Sequence, residues 1–249
     1  MIVCDIGDRW QVVMQTDHAD LSGELARRWA DQTERSESLT IAAERHDDGW
    51  AVWEQSPAYD PGAGKPVNFL DVNVLAHLAF YRAGIAAITE QDAYAGLLVS
   101  MHGAGIYRRR YGLQPELQLT FADGARREVD AFVAEQEGAF AAKDAELSVT
   151  AEQRQRDYEL LQMHDRISLL FCMNDTLSPG GGEFGGYSFR GEGSAVLAMD
   201  PYPFSGGEQQ FSLVRRLVPK RQWPDADSFR HELFSTEPER TTITVRAAN

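Results

Sequence analysis

The densest group of reactive side chains is His46, Asp47 and Asp48, at the end of the stretch Ala42-Ala43-Glu44-Arg45-His46-Asp47-Asp48-Gly49-Trp50. An apolar, helix-favouring run (Leu39, Ile41, Ala42, Ala43) carries these residues to its end, and Gly49 stops it. Carboxylates there meet the partial negative charge of the helix terminus, which is unfavourable unless something positive offsets it. A bound cation would, since one imidazole nitrogen and one carboxylate oxygen make half of a common transition-metal site. The competing reading is a solvated helix stop, with Gly49 as the left-handed residue beyond it.

Three more residues invite the same question. His18 falls on the apolar face His18, Leu21, Leu25, Trp29 of a helix predicted from a Thr16 or Asp17 cap to about Ala30. A core histidine bonded to a backbone carbonyl would fit that position equally. Asp165 falls on the stripe Tyr158, Leu161, Asp165, Ser168, Cys172 of the most apolar helix, which Thr150 can cap and which ends near Asn174. A carboxylate buried there needs a metal or an arginine from another helix, because isolated burial is costly. Its neighbour Arg166 points about 100° away around the helix. His102 lies in Met101-His102-Gly103-Ala104-Gly105, inside a helix predicted from about Asp92 to Arg108-Arg109-Arg110. Each glycine costs that helix about 1 kcal/mol relative to alanine, so either a close backbone approach or a break is expected beside His102. His102 could serve a second ion, move a proton, or simply pack. The three arginines suit a helix C-terminus, with room for one to reach the site. His77 and His231 read as surface residues and His164 as a group behind the site.

These residues must be held by a chain of 249 residues, enough for one large domain or two small ones. Its net charge of -14 opposes nonspecific binding to nucleic acid or to anionic membranes. Residues 1–60 carry 13 Asp/Glu against 5 Arg, whereas residues 180–249 carry 9 against 8 basic residues. Two cysteines, Cys4 and Cys172, are too few for a disulfide framework or a thiolate zinc site. With no signal-peptide pattern and no apolar run near the ~20 residues of a membrane span, a cytoplasmic location is expected. Gly180-Gly181-Gly182 lacks the Lys-Ser/Thr of a phosphate loop.

Ile2–Cys4 and Trp10–Met14 around Gly7-Asp8 predict a hairpin, and helical periodicity then dominates to about residue 177. After Ser178-Pro-Gly the segments Ala195–Met199, Gln209–Leu217 and Thr241–Val245 alternate or are β-branched. The expected organisation is a hairpin (residues 1–15), an all-α helical domain (16–177) and a small antiparallel β subdomain (178–249) that the hairpin joins. The turn-rich loop Ser56–Pro66, with aromatics Trp50, Trp53, Tyr59 and Phe69 around it, is expected to wall a pocket beside His46 or to pin itself to the core.

The order His18, His46-Asp47, Asp165, each on a helix, resembles the HD superfamily of metal-dependent phosphohydrolases, as does Met163-His164-Asp165-Arg166-Ile167-Ser168. That resemblance implies a mainly α, HD-like bundle. His18, His46, Asp47 and Asp165 would bind a divalent ion (Mn, Fe, Zn, Ni or Co), with Asp48 and His102 as catalytic groups and a small, phosphorylated substrate. It also leaves open an HD-type di-iron oxygenase, which needs further histidines. A non-catalytic ligand-binding or scaffold protein with a buried polar network is the third expectation. The chain as a whole is similar to an uncharacterised bacterial family, domain of unknown function 3891, through Asp17-His18-Ala-Asp-Leu-Ser22-Gly23, His46-Asp-Asp-Gly-Trp50 and Tyr94-Ala-Gly-Leu-Leu-Val-Ser-Met-His102-Gly. That likeness implies no activity.

Overall fold

A computed structural model describes residues 1–117, 119, 121 and 123–248. The hairpin β1 (Ile2–Asp5) and β2 (Arg9–Val13) pairs Ile2 with Val13. Next come α1 (Gln15–Arg28), α2 (Ser36–Arg45), the single turn α3 (Ala51–Glu54) and a two-stranded ribbon of β3 (Tyr59–Asp60) and β4 (Lys65–Pro66). Four long helices follow: α4 (Val74–Gln91), α5 (Ala93–Ile106), α6 (Asp123–Leu147) and α7 (Ala151–Cys172). The remainder is β5 (Gly182–Phe184), β6 (Tyr187–Gly191), β7 (Val196–Asp200), β8 (Gln209–Pro219), α8 (Ala226–Ser235) and β9 (Glu239–Ala247).

The seven strands outside the ribbon form one sheet, in the order β1-β2-β8-β9-β7-β6-β5. This overturns the expected mainly α, HD-like bundle, the all-α class and the purely antiparallel small sheet. β9 is inserted between β8 and β7, antiparallel to the first (Phe211 opposite Ile243) and parallel to the second (Val196 opposite Thr244). The physical reason is burial. Leu197, Met199, Leu213, Ile243 and Val245 make an apolar sheet face that must be covered. Leu21 and Leu25 of α1, with Met163, Ile167 and Phe171 of α7, share one core with them. Two helices expected to close on other helices therefore lie on the sheet.

Local chemistry sets the helix ends. Asp92 caps α5 by accepting from the Tyr94 and Ala95 amides, and Thr150 opens α7 with a reciprocal capping box to Gln153. α1 starts at Gln15, ahead of the expected cap, with no side-chain cap bond. α5 passes through both glycines and stops at Ile106, short of the arginines. A Cβ on Gly103 would lie 2.9 Å from the Tyr81 ring, so that glycine lets α4 and α5 approach closely. Gly49 serves the same end, and not as a left-handed stop: a Cβ there would collide with the carbonyl oxygen of Phe80 on α4. Beyond α5, Arg109, Arg110 and Tyr111 have φ of 53°, 51° and 53°. Three successive non-glycine residues in the left-handed region cost about 1–2 kcal/mol each, and they turn the chain back over the end of α5. Among the described residues no helix is long and apolar enough to cross a membrane.

Candidate metal centre

The structure brings His18, His46, Asp47, His102 and Asp165 together, none more than 4% exposed. His18 projects from the first turn of α1, and His46 caps the C-terminus of α2 with Asp47 directly after it. His102 comes from α5, and Asp165 from the buried stripe of α7.

Hydrogen bonds settle where the imidazole protons are. His46 Nδ1 lies 2.8 Å from the carbonyl oxygen of Ala43. A carbonyl only accepts, so Nδ1 carries the proton and Nε2 a lone pair. His18 Nδ1 lies 2.5 Å from Ser168 Oγ, whose own proton is donated to the His18 carbonyl at 2.9 Å. His18 Nδ1 is thus a donor too, and its Nε2 also bears a lone pair. The two Nε2 atoms face each other at 3.1 Å. Asp47 Oδ2 lies 3.5 and 3.7 Å from them, and Asp165 Oδ1 another 3.5 and 3.7 Å. Four acceptor atoms converge where neighbouring dipoles and charges repel. A divalent ion with bonds of about 2.1 Å requires donors roughly 3.0–3.4 Å apart, whether at right angles or tetrahedral. Its two positive charges would balance the two buried carboxylates. The donor set therefore fits a divalent ion, and these buried His and Asp groups could hold one.

A second layer orients the first. Tyr81 Oη donates to Asp47 Oδ1 at 2.9 Å, and Gln15 Nε2 donates to Asp47 Oδ2 at 3.2 Å. His102 Nδ1 accepts from Gln162 Nε2 at 3.0 Å and from Arg110 Nη1 at 3.2 Å. Its Nε2–H then donates to Tyr81 Oη, 3.2 Å away. Arg110 also sets Nη2 3.6 Å from Asp165 Oδ2. Burial, and then the Arg110 guanidinium, hold the His102 pKa well below its ordinary value, so the ring is neutral.

Not every expected residue arrives. Asp48 turns outward, its Oδ2 accepting from Arg45 Nε at 2.6 Å, away from the four-atom cluster. His164 is buried behind the site with its ring edge against Trp29. His231 is exposed, as its charged neighbours imply. His77, read as a surface residue, is instead largely buried: its Nδ1 lies 2.6 Å from Tyr107 Oη and its ring packs on Trp50 and Tyr81. Of the three arginines only Arg110 reaches the centre, while Arg108 pairs with Glu137. Nothing in the sequence marks Tyr81, Gln162, Gln15 or Ser168 as part of the site, because each is an ordinary residue for its helix and only its distant partner makes it polar machinery.

A cavity of about 320 Å³ opens above the centre, with His18, Asp47, His102 and Asp165 among its walls. Trp50 and Phe69 from the aromatic group also line it, whereas Tyr59 packs with Trp223 and Phe229 in another core. A larger groove of about 630 Å³ lies elsewhere, between α1 and the sheet, and holds none of the five converging residues.

A family model described as "protein of unknown function (DUF3891)" matches residues 1–220. No curated protein and no solved structure matches the chain. None of these comparisons supports the HD likeness.

Proposed function

The chain belongs to this family of proteins of unknown function, and we propose that it is a metal-dependent hydrolase, phosphohydrolase-like, with His18, His46, Asp47 and Asp165 holding one divalent ion. One observation carries the reading. Two imidazole nitrogens with lone pairs stand 3.1 Å apart beside two carboxylate oxygens. When bound, such an ion lowers the pKa of water and polarises a phosphoryl oxygen. The chain's own residues do the rest. Ser168 and the Ala43 carbonyl fix both tautomers, so both Nε2 atoms point inward. Gln162 fixes the third tautomer, and the His102–Tyr81 chain of donors holds Asp47 by its outer oxygen. Both nitrogens of His102 are thereby engaged. That favours a single ion, with His102 in charge of protons, over a di-iron oxygenase that needs more histidine ligands. Arg110 supplies positive charge at the cavity floor, where an anionic ester would arrive.

Elemental analysis of the purified chain, beside the double variant His46→Ala/Asp47→Ala, tests this. About one equivalent of a divalent transition metal is expected in the wild type and none in the variant, with helix content nearly unchanged. Metal retained by the variant would place any ion elsewhere. No metal even after reconstitution would overturn the reading and leave a proton shared between His18 and His46 as the account of their contact.

A further inference from the structure

The walls of the cavity above the centre change character with depth. Its buried wall carries the polar His18, Asp47 and Tyr81 beside Trp50, with Arg110 next to them, whereas the partly exposed or exposed Phe69, Leu70, Val72, Ile106, Leu169 and Met173 line the way out. The described residues include six large apolar side chains exposed to solvent, and three of them, Leu70, Leu119 and Met173, belong to this one cavity. Exposed apolar surface gathered at the mouth of a polar site marks a place that an apolar group covers. At the wall stands Arg166, whose buried Nε has no hydrogen-bond partner among the described residues. Arg110, by contrast, is already engaged with Asp165 and His102. On a chain with a net charge of -14, an anion needs such local cations to be held.

We propose that the ligand of this cavity is a small amphiphilic anion, a phosphate ester whose body is a short alkyl chain or a single aromatic ring, with its head at Arg166 and Arg110 and its body along the apolar exit. At roughly 30 Å³ per water-sized group, the volume admits about ten non-hydrogen atoms, the size of such an ester. A sugar or nucleoside body lying along the exit would set hydroxyls against Phe69, Leu70, Val72, Ile106, Leu169 and Met173, whose side chains cannot bond them. The choice of ester rests on the hydrolase reading. Hydrolysis would add water across the P–O ester bond, leaving the alcohol and inorganic phosphate.

Calorimetric titration at measured metal content tests the proposal with hexyl phosphate, ribose 5-phosphate and inorganic phosphate. Hexyl phosphate is expected to bind at least tenfold tighter than the other two. Leu70→Ser/Met173→Ser replaces two side chains already exposed (67% and 43%) and so spares the fold. It should cut that preference below threefold without changing metal content. Arg166→Gln should weaken hexyl phosphate and inorganic phosphate alike, by about tenfold, and keep their ratio. Equal binding of hexyl and ribose phosphates would overturn the proposal, as would a preference that survives the double variant. Cosedimentation with phosphatidic acid vesicles would also overturn it, because the head would then come from a membrane lipid. A chain that binds hexyl phosphate preferentially but carries no metal would sink the hydrolase reading and sustain this one.

Discussion

At the scale of single residues, the centre depends on groups that never face its middle. Tyr81 holds Asp47 by one oxygen so that the other points inward. Tyr81→Phe removes that donor and leaves the buried His102 Nε2–H without its acceptor. The expected result is a 10–100-fold loss of metal affinity in chelator competition, as when the orienting partner of a ligand is removed elsewhere. Asp48→Asn breaks only the pair with Arg45 and should leave metal affinity unchanged in the same assay. The members of the cluster were conspicuous in the sequence because each breaks a local rule: carboxylates past a helix C-terminus, a carboxylate on an apolar stripe, a histidine on a buried face. Tyr81, Gln162 and Ser168 break none. Their partners lie 21 to 150 residues away, and no local pattern reports that.

At the scale of elements, α4 and α5 hold Tyr81 and His102 in register because a glycine removes the side chain between them. Gly103→Ala pushes a methyl to 2.9 Å from the Tyr81 ring, which is itself tied to Asp47 and cannot easily retreat. A destabilisation of about 1–3 kcal/mol is expected from urea unfolding, despite alanine's better helix propensity. No change, or a gain, would mean that the two helices are free to separate. The glycines were visible in the sequence as a cost, but whether they mark a break or a close approach depends on what packs there. The sheet was harder to read. Its strands lie at both ends of the chain, and the parallel neighbour of β7 arrives forty residues later, across β8 and α8. Alternation reveals that Thr241–Val245 is a strand, but it does not say between which two strands it lies.

At the scale of the whole molecule, buried histidines make stability depend on pH. His164 is fully buried and both its ring nitrogens lack partners among the described residues. Burial lowers its pKa to about 3, and burial likewise lowers that of His77 to about 4. Below about pH 6.5 the unfolded chain takes up protons that the folded chain refuses, so stability must fall as the pH drops from there towards these values. Each group contributes a slope of up to about 1.4 kcal/mol per pH unit. His164→Leu should flatten the fall in urea midpoint between pH 7 and pH 5, and at pH 7 it should be neutral or stabilising because it removes two unsatisfied polar atoms. A steep loss of stability at pH 7 would show that the ring makes a bond of value. The position of β9 carries a last consequence, for the order in which the protein can assemble. In the sheet β1-β2-β8 and β7-β6-β5 are hydrogen-bonded to each other through it, and it begins at Glu239, beyond the stretch shared with the family. During synthesis the two half-sheets must wait, each with a second open edge, until residues 239–247 have left the ribosome. A fragment cut at residue 220 would keep all five residues of the centre and lose the strand that closes the sheet beneath α1 and α7.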